Sequence, residues 1–87
     1  MITSSQLRAA RALLAIDQRE LAALSHLSLQ TIRRMETSQG IVRGQMESLT
    51  KLIEALDKAG VALIGPEQIS PHGGRGVRLK AANKFMR

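Results

Sequence analysis

The chain has 87 residues, 44% hydrophobic and 23% charged, which is the size of one domain and the balance of a globular chain rather than a disordered one. Cysteine is absent, excluding disulfides and thiolate zinc sites together, and with two histidines and seven scattered acids no metal cage is expected. Thirteen Lys and Arg against seven Asp and Glu leave a net charge of +6, which points to a polyanionic partner; the single aromatic, Phe85, offers no platform for stacking unpaired bases, so a duplex is favoured over a single strand.

The charge is not uniform. Residues 1–45 carry +3, residues 46–70 carry −2, and residues 71–87 carry five basic side chains and no acid. The longest apolar run is five residues, 12–16, too short to cross a bilayer, and no signal-peptide core is expected near Met1. Three segments are expected: a helical domain over residues 1–60, a short two-strand element over 61–80, and a basic tail over 81–87.

The first helix should begin at Thr3 or Ser4, because Thr3-x-x-Gln6 has the form of a capping box. Leu7, Ala10, Leu13 and Leu14 then recur at helical spacing. Asp17 and Glu20 form a second capping box, opening a short helix that should bury Leu21, Ala22 and Leu24 and stop at Ser25-His26. Ser28 is the next N-cap. The helix from Leu29 to about Thr37 sets Ile32, Met35 and Glu36 on one side and Gln30, Arg33, Arg34 and Thr37 on the other. A fourth helix fits Met46–Ala59, with Leu49, Leu52, Ile53 and Leu56 on its apolar face and Gly60 just past its end. Beyond Gly60 the pattern changes. Val61–Ile64 is apolar and Gly76–Leu79 alternates at period two, so two short strands joined by a connector are expected. The Gly-rich 73–76 stretch lacks the Lys-Ser/Thr and the strand–helix context of a phosphate loop.

Two short helices joined by a three- to four-residue turn have helix-turn-helix geometry. Residues 18–37 satisfy its demands. Ala22 is small enough for a close crossing, and Leu21, Leu27, Ile32 and Met35 can seal the pair. Gln30, Arg33 and Arg34 are side-chain types suited to base edges, Arg to guanine and Gln to adenine. No spacing sets a nucleophile beside a base and an orienting group, so an enzyme is not expected.

The run Gln18-Arg-Glu-Leu-Ala-Ala-Leu-Ser-His-Leu-Ser-Leu-Gln-Thr-Ile-Arg-Arg-Met-Glu36 resembles the Cro/C1-type, or Xre-family, helix-turn-helix regulators of bacteria and phages. The resemblance covers residues 3–60. It implies a mainly α, lambda-repressor-like four-helix domain, here followed by a short C-terminal strand pair. It also implies a sequence-specific regulator of transcription, most simply a repressor, acting in the cytoplasm on double-stranded DNA as a homodimer at a pseudo-palindromic operator, with no cofactor. Leu29, Gln30 and Arg34 match the family's base-reading positions, with Arg33 beside them. Gln18 matches a phosphate-contacting glutamine, and Arg43 lies in a loop that touches the DNA backbone. Ser28, Thr31 and Thr37 are further candidates for phosphate contact. Arg11 and Glu36 match a structural ion pair between the first and third helices. Two departures stand out: His26 occupies the turn where the family has Gly, and the strand pair replaces a fifth helix.

A single recognition helix reads few base pairs, and short strands leave unpaired edges. Dimerisation is therefore expected through Val61, Leu63, Ile64, Val77 and Leu79, with pairing inside one chain as the alternative. A competing reading of another class is a protein-interaction module, such as the antitoxin of a toxin–antitoxin pair, with a toxin or RNA polymerase as partner and DNA binding as autoregulation. The basic tail is read as adding sequence-independent phosphate contacts or only solubility.

Overall fold

A computed structural model describes residues 2–64 and 75–80. The connector and the basic tail expected from the sequence lie outside the described residues. The chain is mainly helical: α1 (Ser4–Leu14), α2 (Gln18–Ser25), α3 (Leu29–Thr37) and α4 (Met46–Ala59), followed by β1 (Val61–Ile64) and β2 (Gly76–Leu79). No described helix is long and apolar enough to cross a membrane.

Each helix starts where its capping chemistry requires. At α1, the Gln6 amide donates to Thr3 Oγ1 at 3.0 Å while the Thr3 amide donates to Gln6 Oε1 at 2.9 Å. At α2, Asp17 and Glu20 make the same reciprocal pair at 2.8 and 2.9 Å. Ser28 Oγ accepts from the Thr31 amide at 3.0 Å to open α3. These bonds satisfy N–H groups that a helix leaves without partners. Three of the four helices end on a left-handed residue: Ala15 (φ 57°), His26 (φ 59°) and Gly60 (φ 102°). At Ala15 and His26 the chain then folds back in the same way, with the Ile16 amide reaching Arg11 O and the Leu27 amide reaching Ala22 O.

The core is formed by Leu7 and Ala10 of α1, Leu21 and Ala22 of α2, Ile32 and Met35 of α3, Leu49, Leu52 and Leu56 of α4, and Val61 of β1. Ile2 and Val42 complete it. They come from segments without periodicity, brought together by an isolated antiparallel bridge in which the Ser4 amide donates to Gly40 O and the Val42 amide to Ile2 O, both at 2.9 Å.

Two expected core residues are exposed. Leu13 is 41% and Leu24 50% accessible. At about 100° per residue, Leu13 sits about 120° around α1 from Leu7, on the flank of the buried stripe rather than at its centre. On α2 the inward direction set by Leu21 and Ala22 falls on Ser25, which is fully buried and donates from Oγ to Leu21 O at 2.8 Å. Direction on the helix decides burial here, not apolar character.

The strands pair with each other inside one chain, antiparallel, with Val61 opposite Leu79 and Ile64 opposite Gly76. The Lys80 amide extends the pairing to Gly60 O. The hairpin packs on α1 and α4. This is the pairing inside one chain that the sequence left as the alternative. Val61 is a core residue, and Leu63 and Val77 pack against the core, so of the five residues named for dimerisation only Leu79 is exposed. Gln6 fastens the hairpin to α1. Its buried Nε2 donates to Ile64 O at 3.0 Å and to Gly76 O at 2.9 Å, gripping both strands where they meet the connector.

Ala15 and His26 adopt a backbone that L-residues reach at a cost of about 1–2 kcal/mol, partly offset in glycine by a larger loss of chain entropy. Ala15→Gly and His26→Gly should each stabilise the fold by about 0.5–1 kcal/mol, read as a rise of about 3–5 °C in thermal unfolding followed by circular dichroism.

Candidate nucleic-acid interface

The turn between α2 and α3 rests on three decisions in the sequence. His26 takes the left-handed position, Leu27 drops back toward the core, and Ser28 restarts the helix. The first α3 turn is then tied down further, because Ser28 Oγ donates to Thr31 Oγ1 at 2.8 Å. Ser28 is therefore occupied with capping. Of the two hydroxyls expected to meet phosphate there, Thr31 is the one with a proton left to offer. Thr37 is also occupied: its hydroxyl donates to Arg34 O at 3.0 Å, and Ser38 Oγ donates to the same carbonyl at 3.1 Å. Both groups finish the C-terminal end of α3.

On the outer side of α3, Gln30, Arg33 and Arg34 are exposed and Leu29 is half-buried. Gln30 and Arg34 are four residues apart, so they stand one above the other, with Arg33 beside them. None of the three side chains makes a hydrogen bond or an ion pair, so their side-chain donors are uncommitted. Arg43, in the segment between α3 and α4, is exposed and uncommitted in the same way.

The inner side of α3 carries the opposite character. Glu36 is buried, with only 3% of its side chain accessible. Arg11 Nε donates to its Oε2 at 2.8 Å and Arg11 Nη2 to its Oε1 at 3.1 Å. Gln18 Nε2 also donates to Oε1 at 3.1 Å. The expected pair between α1 and α3 is thus a bidentate fork, with a third donor from α2. The hydrogen bond to Glu36 raises the Arg11 pKa above its ordinary value, desolvation opposes it, and the charges of Glu36 and Asp17 add to the rise. Arg11 therefore stays charged across any accessible pH.

Gln18 is consequently not a free surface amide. Its side chain is anchored through one N–H, and the second is left to face an open groove. That groove is lined by Ser4 and Ser5 of α1, Arg8, Gln18, and residues 36–40 at the end of α3. Arg8 is a contributor for which the sequence carried no expected site role. Its guanidinium donates to Glu36 O and, at 3.3 Å, to Ser5 Oγ, which sets a positive charge at the mouth of the groove. Its position one turn before Arg11 was the available signal. The named site residues thus divide into an outer α3 surface, the Gln18 groove, and Arg43.

Removing one partner of a buried pair strands the other charge and costs about 3–5 kcal/mol, whereas replacing both by apolar groups is often neutral. Arg11→Met strands the buried Glu36 carboxylate and should lower stability in urea by about 3 kcal/mol, and the double change Arg11→Met with Glu36→Leu should recover most of that loss. Comparison with protein-family models, with curated proteins and with solved structures finds no match to the chain.

Proposed function

We propose that the protein is a sequence-specific binder of double-stranded DNA, acting in the cytoplasm as a repressor of transcription. The observation that carries this reading is the outer surface of α3. Gln30, Arg33 and Arg34 stand exposed and uncommitted on a helix whose other side is fixed in the core. Side chains of this kind on the second helix of such a pair suit base edges in the major groove. In this reading Leu29 meets a thymine methyl group. Thr31, Gln18 and Arg43 fix register through phosphates, helped by the N-terminal amides of α2 and α3.

One short helix reads few base pairs. The reading therefore includes two copies on a two-fold symmetric site, with half-site centres about 34 Å apart. A protein-interaction module with autoregulatory DNA binding is the second reading. The open outer edge of β2, described below, favours it.

Selection of bound duplexes from a random pool tests both. The first reading expects a palindromic consensus, and no enrichment overturns it. Arg34→Ala should relax preference at particular positions by about 1–3 kcal/mol each. Arg43→Ala should instead weaken all duplexes alike and flatten the salt dependence by about one unit of slope.

A further inference from the structure

The outer edge of β2 is open. Bonding of the Lys80 amide to Gly60 O fixes the ladder, so that residues 62 and 64 exchange bonds with 78 and 76. The N–H and C=O groups of Val77 and Leu79 must then point away from β1. No recorded hydrogen bond meets them. The edge of β1 is different, since α4 packs on that strand and Val61 is buried there. Along β2, Arg78 is exposed and Leu79 is 49% accessible.

A groove runs between this strand and α1, lined by Ser5 and Ala9 on the helix and Gly76 and Val77 on the strand. Ser5, Ala9 and Leu13 are each four residues apart, so they form one stripe along α1, and all three are exposed. The helical wall is thus uncharged, and exposed Leu13 continues the stripe one turn beyond the residues that line the groove. An open strand edge with an uncharged helical wall beside it is the geometry that accepts an added strand.

We propose that the groove between β2 and α1 takes an extended, acidic segment of a partner protein by strand addition. Main-chain bonds form to Val77 and Leu79. Side chains of the added strand alternate between the two sheet faces. Small apolar ones lie over Ala9 and Leu13, and acidic ones lie beside Arg78. Charge selects the occupant. Arg75 lines the groove, Arg78 is exposed on the strand and Lys80 follows it. A second copy of β2 would bring Arg78 and Lys80 against the same charges, which disfavours self-pairing. Lys80 already pairs with Asp57, leaving Arg78 as the exposed cation of the strand. The inference stands apart from the DNA reading, and either can fail alone.

The test uses the full chain, labelled for amide NMR, with an end-capped synthetic peptide of alternating Val and Glu as probe. Shifts should appear at Val77 and Leu79 and at Ser5, Ala9 and Leu13. Affinity should fall about tenfold when the peptide is N-methylated at alternate residues in the pairing register, a change that leaves the protein untouched. A peptide of alternating Val and Lys should not bind, and Arg78→Glu should reverse the preference. Equal binding of the N-methylated or Lys peptide, or shifts elsewhere, overturns the proposal. So does self-association that protects the Val77 and Leu79 amides without peptide, or a response of those amides to duplex DNA alone.

Discussion

A carboxylate removed from water must find its hydrogen bonds inside the protein, and Glu36 finds them on two other helices. Arg11 reaches it from α1 with two bonds and Gln18 reaches it from α2 with one. Each donor must keep its place or leave the carboxylate short of partners. The arrangement therefore specifies relative position more than it adds stability, because desolvation of both charges consumes much of the attraction. Apolar side chains such as Leu21, Ile32 and Met35 supply the bulk of the driving force, but they tolerate small rotations. The fork does not, since two parallel bonds fix both distance and direction.

From that constraint α3 acquires two sides with separate duties. The inner side is committed through Ile32, Met35 and Glu36. On the outer side the side chains of Gln30, Arg33 and Arg34 are left without intramolecular bonds. A rigid helix presenting uncommitted donors loses little conformational freedom when they engage a partner, apart from their own rotamers. Gln18 links the two duties, because the residue that anchors α2 to Glu36 also borders the groove beside Arg8.

Much of the fold was legible because it is written in local chemistry. Thr3, Asp17 and Ser28 are caps that work within three residues, and Gly60 ends α4 where a residue without a Cβ is cheapest. The outer face of α3 followed from the same period. What escaped was set by geometry without a local marker. Ala15 takes a left-handed turn although alanine carries no signal for one. Ile2 and Val42 meet across a long stretch of sequence, and neither sits in a pattern. Leu24 and Ser25 exchange expected roles because the direction of the α2 face depends on what packs against it. In the site, the hydroxyl protons of Ser28 and Thr37 were expected to reach phosphate, but local side-chain and backbone acceptors claim them. Arg8 gains its place only when α1 and α3 come together.

Gln6 lies 58 and 70 residues before Ile64 and Gly76, yet its amide grips both. During synthesis, which proceeds from the N-terminus at about 5–20 residues per second, the cap at Thr3 can close as soon as the first turn emerges. The other half of the same side chain has no partner until β1 and β2 have been made. The helical core can assemble first, with the Gln6 amide still solvated, and the hairpin then docks onto a surface already formed. A side chain that serves a local cap also completes a distant contact, so the docking of the hairpin is registered in the first turn of α1.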